Sequence, residues 1–225
     1  MAEPTGPTPS YYPVSLDVSG RPCLVVGGGA VAARKAAGLL ECGARVTVIA
    51  PSTGTALEAL APALATLERR PYREGDVLGY VLVITATGVP AVDEAVHAEA
   101  EASRIWVNSA DDRAHSSFIL PAVHRDGAVT VAVSTGGLSP ALAAWLRDRV
   151  ASGESGGVGA LAQLLGEARA RLLEAGMSSA AVDWAALLDG PLPGLVEAGE
   201  LDEAKAIVAA ATDKTDNESS TPRPP

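Results

Sequence analysis

The stretch Pro22-Cys-Leu-Val-Val-Gly-Gly-Gly-Ala-Val-Ala-Ala-Arg-Lys35 limits the fold most narrowly, because a short apolar run ends in three consecutive glycines that open directly into a helical pattern. Cys23 to Val26 has the unbroken apolar character of a strand buried in a parallel sheet. Val31 to Leu40 follows as a helix, with Gly43 where a C-terminal cap belongs. Gly27 and Gly29 take the first two places of a G-x-G-x-x-G/A fingerprint and Ala32 the third, residues small enough to let the backbone turn sharply and approach a pyrophosphate at a helix N-terminus. Arg45 to Ile49 supplies the next strand and closes a βαβ unit. The pattern predicts a dinucleotide-binding turn, with a glycine-rich turn that holds no ligand as the alternative. The acidic residue expected about 20 positions on, for the ribose hydroxyls, is missing. The second strand runs out instead into Ala50-Pro51-Ser52-Thr53, so that Ser52 or the backbone must hold the ribose. No arginine stands there to meet a 2′-phosphate, which favours NAD over NADP and leaves the choice open.

At 225 residues the chain can bury a substantial core as one Rossmann-type unit with a smaller appended region. Cys23 and Cys42 lack metal-type spacing and support neither a disulfide framework nor a zinc site, so a reducing compartment, the cytoplasm, is expected. The Pro/Thr/Ser-rich first ten residues read as a loose tail and not a signal peptide. The uncharged stretches Val77 to Val92 and Gly127 to Leu146 are interrupted by Gly, Pro, Ser and Thr, which makes them soluble strands and not membrane spans. Net charge is −10, and residues 152–225 hold twelve acids against five bases. Nucleic-acid binding is disfavoured.

Further elements follow in alternation: a helix over Gly54 to Leu64, a short strand over Ala65 to Arg70, a strand over Tyr80 to Ala86, a helix over Pro90 to Ser103 and a fifth strand over Ile105 to Asn108. Ligands should gather at the carboxyl ends of these strands, with Thr85-Ala-Thr-Gly88 as the second edge of the cofactor crevice. Beyond Asp111 the character changes. Ser117 to Leu120 and Ala128 to Val133 are strand-like and flank His124-Arg-Asp-Gly127 as a turn. Ser139 is placed as the N-cap, and Pro140 as the first residue, of a helix running through Val150. Residues 151–157 read as a flexible joint. Helical patterns then cover Leu161 to Ala175, Ser179 to Leu188 and Leu195 to Ala211, and the residues from Asp213 read as disordered.

Asn108-Ser-Ala-Asp111 stands where the nicotinamide end of a bound dinucleotide should reach. Asp111 is the candidate base: shielding between cofactor and an apolar substrate would raise its pKa towards neutrality. The alternative is that Asp111 or Asp112 caps a turn. Ser134-Thr-Gly-Gly137 before a helix is a second place for an anion, with the Thr135 hydroxyl as donor, or else a plain hairpin-to-helix turn. Arg113, His115, His124, Arg125 and Arg147 offer counter-charges to an acidic substrate, although each alone reads as a solvated surface residue. His97, His115 and His124 show no dense ligand spacing, so no permanent metal site is expected, only a metal carried by a substrate.

Four segments together resemble the precorrin-2 dehydrogenase/sirohydrochlorin ferrochelatase family, the NAD-dependent module of sirohaem synthases. They are Tyr11-Tyr-Pro-Val-Ser-Leu16, Val26 to Lys35, Asn108 to Asp111 with Ser117-Phe-Ile-Leu-Pro121, and Val131-Ala-Val-Ser-Thr-Gly-Gly-Leu-Ser-Pro-Ala-Leu142. The likeness covers residues 10–150 strongly and the helical remainder in general plan. It implies oxidation of precorrin-2 to sirohydrochlorin by NAD. In bifunctional members insertion of ferrous iron follows, with iron or cobalt as the substrate metal. Asp111 matches the family's key aspartate, and the implied cofactor contacts are Gly27, Gly29, Ala30, Val31, Pro51 and Ser52, beside Thr85. Substrate contacts are expected at Asn108, Arg113, His115, Thr135 and Gly136. At Thr135 enterobacterial bifunctional members place a serine that can be phosphorylated; threonine here makes such regulation doubtful. The resemblance also implies a homodimer formed through the segment after the Rossmann half.

The expected architecture is therefore α/β, a Rossmann-like parallel sheet followed by a small α+β dimerisation segment and a C-terminal helical region. Residues 1–10 form a flexible tail, 11–112 the NAD-binding domain, 113–150 the dimerisation and substrate segment, 158–212 the helical domain and 213–225 a disordered tail. The methyltransferase half of fused sirohaem synthases is not expected in the chain that remains after residue 150. Two rival readings are a Rossmann dehydrogenase of a different small metabolite and an NAD-sensing regulatory module that performs no chemistry.

Overall fold

The computed structural model describes residues 11–152 and 157–219, with side chains through residue 213. Residues 1–10, read as a loose tail, lie outside the described residues, as do 153–156 of the proposed joint and 220–225. The chain divides into two compact units at Leu120–Pro121.

The first unit alternates strand and helix: β1 (Pro22–Val26), α1 (Ala30–Glu41), β2 (Arg45–Ile49), α2 (Thr55–Leu60), β3 (Thr66–Glu68), β4 (Leu82–Thr85), α3 (Pro90–Ala102) and β5 (Trp106–Ser109). A 3₁₀ turn at Ala61–Ala63 follows α2, where Pro62 cannot supply the amide that a longer α-helix needs. All five strands pair in parallel in the order β3-β2-β1-β4-β5, with Val26 level with both Ile49 and Thr85. The strands are Val/Leu/Ile runs because helices cover both faces. On one face Ala32, Ala33 and Ala36 of α1 pack with Val25, Val48 and Ile84. On the other, Val96 and Ala100 of α3 pack with Leu24, Val83 and Val107. This is the Rossmann-like arrangement expected.

Ser117 to Leu120, expected as a strand, forms none. The Ser117 amide donates to the Val107 carbonyl (2.8 Å), the Ser117 hydroxyl accepts from the Val107 amide (2.8 Å), and Ser116 Oγ accepts from the Ser109 amide (2.9 Å). Hydroxyls thus satisfy the outer edge of β5 in place of a sixth strand, a device that also closes the edge to foreign pairing.

The second unit opens with an antiparallel hairpin, β6 (Ala122–Asp126) and β7 (Val129–Val133). His124, Arg125 and Asp126, expected in a turn, are strand residues. The turn is Gly127-Ala128, with Gly127 at φ +54 as a two-residue hairpin loop demands. A Cβ added to Gly159 would stand 2.6 Å from the Asp126 carbonyl oxygen, and the Gly159 amide donates to the Asp126 carboxylate at 2.9 Å, so this hairpin end sits on the first turn of a helix. The helices are α4 (Pro140–Ser152), α5 (Val158–Glu174), α6 (Trp184–Leu188), α7 (Leu192–Glu197) and α8 (Leu201–Ser219). Ser139 caps α4, accepting from the Leu142 amide at 3.2 Å. Leu164, Ala168, Leu192, Val196, Ala204 and Val208 form this unit's core.

Three helix expectations need correction. Ser179 to Leu188 is a 3₁₀ turn at Ser179–Ala181 and then α6, capped anew by Asp183, which accepts from the Ala186 amide. Leu195 to Ala211 is divided between α7 and α8 by Gly199 at φ +79. The chain from Asp213 is helical to Ser219, because a helix anchored by the buried Ala204 and Val208 propagates through polar residues that would not nucleate one. No helix among the described residues is long and apolar enough to cross a membrane.

Candidate active site

Each of the three glycines after β1 has a distinct geometric reason. Gly27 has φ +133, and a Cβ there would lie 2.3 Å from the Ala86 carbonyl oxygen. A Cβ on Gly28 would lie 1.8 Å from the Ser52 carbonyl oxygen, and the Gly28 carbonyl accepts from the Gly54 amide at 2.9 Å. Gly29 is in ordinary extended conformation and has nothing within 4 Å of an added Cβ. Gly27 and Gly28 therefore admit neighbouring backbone, whereas the space before Gly29 is open. Gly29 is also the N-cap of α1, with no side-chain cap and no acid in the first turn, so the amides of Ala30 and Val31 at the positive end of the helix dipole face that space. The strand order reverses between β1 and β4, which opens the crevice at this same turn. A cradle that a Cβ would fill, lined by unpaired amides, fits the pyrophosphate of a dinucleotide.

One rim of the crevice is the exposed Pro51-Ser52 turn after β2. Beyond it, at the end of β3, stand two arginines that the sequence reading did not weigh. Arg69 is paired with Glu58 (2.8 Å), and Arg70 with Glu68 (2.6 Å) and Asp76 (2.6 Å). The Arg70 guanidinium holds the Asp76 carboxyl below its usual range, and hydrogen bonds from Thr53 and then Arg69 do the same for Glu58. The other rim follows β4. Thr85 is fully buried and its hydroxyl is bound by Asp93, so its side chain supports the turn instead of facing the crevice. The same Asp93 oxygen accepts from the Thr87 hydroxyl at 2.7 Å, making Asp93 the organiser of this rim.

The loop after β5 carries most of the remaining predicted residues. Asn108 is buried and donates from Nδ2 to the Phe118 carbonyl (3.0 Å), which folds the loop back on itself. Asp111 is exposed at its outer turn. Asp112 accepts from the Ala114 amide (2.8 Å) and from His115 Nδ1 (2.8 Å); the turn-capping role considered for either aspartate therefore falls to Asp112. Arg113 donates to the Tyr11 hydroxyl at 3.2 Å and lies over its ring. Phe118 packs against the α1 face, which brings the loop alongside that helix. Lys35, which sequence reasoning missed, stands on that flank of α1, half-buried and without a hydrogen bond or ion pair among the described residues. Its amine is pushed below the ordinary lysine range, first by burial and then by Arg34, while the nearby Asp111 carboxylate opposes the shift. A half-buried cation without a partner beside an exposed carboxylate is suited to an anionic substrate group.

Thr135 and Gly136 belong to the second unit. The Thr135 hydroxyl donates to the Ser139 carbonyl and accepts from its amide, both at 3.0 Å, while Gly136 and Gly137 take φ +63 and +81. The hydroxyl is thus built into the hairpin-to-helix turn. Among the described residues no group of three or more His, Cys, Asp or Glu side chains is assembled for a metal.

A strand order that reverses beside a glycine turn and an uncapped helix defines a dinucleotide-binding protein of the Rossmann class. Residues 14–122 match the family described as "Putative NAD(P)-binding", and residues 126–152 that described as "Sirohaem biosynthesis protein central". Together the two matches span residues 14–152 and liken that part of the chain to the nicotinamide-dinucleotide-binding and central segments of sirohaem-biosynthesis proteins. It is 36% identical over 204 residues to a siroheme synthase of Nitrosococcus oceani, covering 89% of this chain and 44% of that protein. With a siroheme synthase of Methylococcus capsulatus it shares 38% over 206 residues, 90% of this chain and 44% of the relative. The chain thus spans less than half the length of these curated relatives. Among solved structures, "SirC, precorrin-2 dehydrogenase" is similar with a TM-score of 0.70 at 26% identity, over 91% of this chain and 100% of that one.

Proposed function

We propose that this chain oxidises precorrin-2 to sirohydrochlorin with NAD in the cytoplasm, and that the same site inserts ferrous or cobaltous ion, as a second substrate, into the product. The observation that carries this reading is Asp111, exposed on the loop after β5 with Lys35 beside it, next to a crevice shaped for a dinucleotide. The preference for NAD is supported by Arg69 and Arg70, whose guanidinium groups are committed to Glu58, Glu68 and Asp76 and are not spare for a 2′-phosphate.

NAD, when bound, supplies the hydride acceptor. The amides of the first turn of α1 hold the pyrophosphate, and Asp93 fixes the rim through Thr85 and Thr87. Lys35 pairs with a carboxylate of the tetrapyrrole and orients the macrocycle over the loop. Asp111 accepts the proton released as conjugation extends, and during metal insertion it takes up pyrrole N–H protons. A homodimer built on α4 is part of the reading. Leu142, Trp145, Leu146 and Val150 repeat at helical spacing along α4 and are exposed, forming one apolar stripe, with the exposed Leu138 just before the helix.

Anaerobic absorbance with enzymatically generated precorrin-2 and NAD tests the proposal. Sirohydrochlorin and NADH should rise together in equal amounts. Asp111→Ala should lose turnover by at least about 100-fold, the scale of a general base, with NAD affinity kept. Lys35→Met should raise KM for the tetrapyrrole by about tenfold, which corresponds to one ionic contact, without changing NAD affinity. NAD binding without any turnover of precorrin-2 would support the NAD-sensing alternative instead.

A further inference from the structure

Two of the chain's three histidines meet on the face of the first unit that bears α3. His97, on α3, and His115, on the loop after β5, lie with ring centroids 5.0 Å apart at an interplanar angle of 63°. The sequence separates them by a strand and a turn, so their spacing shows no ligand pattern; the fold brings them together. Each ring is fixed by its own carboxylate: His97 Nε2 pairs with Glu101 at 3.0 Å, and His115 Nδ1 with Asp112 at 2.8 Å. A neutral imidazole that donates one N–H to a carboxylate keeps its lone pair on the other nitrogen. The nitrogens left over are therefore Nδ1 of His97 and Nε2 of His115. The first is buried and makes no hydrogen bond among the described residues, an arrangement that carries a desolvation cost unless something binds there. The second has no hydrogen-bond partner among the described residues.

Paired imidazoles, each oriented by a carboxylate on its far nitrogen, are the arrangement that precedes metal ligation. Imidazole selects borderline first-row divalent ions over magnesium or calcium. We propose that His97 and His115 form a two-histidine site for a divalent transition ion, with Glu101 and Asp112 orienting the ligands. Two protein ligands leave the other coordination positions to water or to an incoming group, so the ion is held exchangeably and not as a permanent structural metal. His115 is on the loop that carries Asp111, which makes the pair a holding place for the metal substrate; that last step alone rests on the chelation reading above.

The test uses the full chain without an affinity tag. Cobalt(II) is titrated anaerobically, with visible d–d absorption and the imidazole C–H proton resonances followed together. One cobalt should bind per chain, and the resonances of His97 and His115 should shift or broaden while those of His124 stay in place. His97→Ala and His115→Ala should each weaken binding by more than about tenfold, Asp112→Asn by about tenfold as loss of an orienting carboxylate does, and His124→Ala should bind as wild type. Absence of cobalt binding, binding indifferent to both His97→Ala and His115→Ala, or perturbation centred on His124 would overturn the proposal. The resonance readout needs no variant, so a substitution that harms folding does not decide the matter. Cobalt bound at this pair without metal insertion into sirohydrochlorin would leave the site standing and overturn the chelation reading alone.

Discussion

At the scale of single residues, the glycine turn separates tolerance of neighbours from room for a ligand. Gly28→Ala drives a Cβ into the Ser52 carbonyl and should lower stability by about 2–3 kcal/mol, as overpacking does. Gly29→Ala meets nothing within 4 Å and should leave Tm within about 2 °C of wild type, yet weaken NAD binding by at least about tenfold because the methyl group takes the pyrophosphate's place. Thermal melts beside NAD titrations check both. The fingerprint spacing made Gly27 and Gly29 legible, but it is silent on Gly28, whose partner is 24 residues away and reaches it only because β2 lies next to β1. The exposed position of Asp111 just beyond β5 was legible from the strand that precedes it. Lys35 was not, since a basic residue inside a helical pattern reads as solvated until the loop carrying Phe118 is seen to fold onto α1. Thr85 misled for a related reason: the end of a strand was correctly placed, but the hydroxyl points to Asp93, a partner that no local spacing announces. Burial also pushes the Cys23 thiol up to about 11, which makes it a packing residue and not a reactive one.

At the scale of elements, the parallel strands and the helices between them were readable because a doubly covered sheet demands apolar runs, and such runs are visible along the chain. The misread elements are those whose state depends on side-chain hydrogen bonds or on one glycine. Ser116 and Ser117 satisfy the edge of β5 through hydroxyls, so an apolar-looking segment forms no ladder. His124 to Asp126 is polar enough to pass for a turn, yet it pairs along β7, and the chain reverses only over Gly127-Ala128, where Gly127 supplies the positive φ. On α4 the apolar stripe has a consequence that can be measured. Trp145 is 54% exposed and lies at the middle of the stripe, where a large aromatic side chain is the usual anchor of an interface. Trp145→Asp should raise the dimer dissociation constant by at least about 100-fold, or roughly 2.7 kcal/mol, while the circular dichroism of the protomer stays the same. Sedimentation at several concentrations reads the outcome, and a wild-type chain that is monomeric throughout would remove the dimer from the reading.

At the scale of the whole molecule, hydrophobic burial is organised around three clusters, two on the faces of the parallel sheet and one among α5, α7 and α8. The first two draw on residues before Pro121 and the third on residues after it, so each compact unit has a core of its own. Sequence periodicity could reveal the amphipathic helices of the second unit but not which of them share a core, since Leu164, Leu192 and Val208 are brought together only by the breaks at Asp183 and Gly199. Separate cores also bear on how the chain melts. A ligand stabilises only the cooperative unit that binds it, by about 2.7 kcal/mol when it is present at 100 times its dissociation constant. Scanning calorimetry should resolve two transitions, and NAD should move one of them upward by several degrees while leaving the other in place. The cofactor would then protect the nucleotide-binding half from heat and proteolysis while the helical half still opens at its own temperature, so that the two ends of one polypeptide age at different rates.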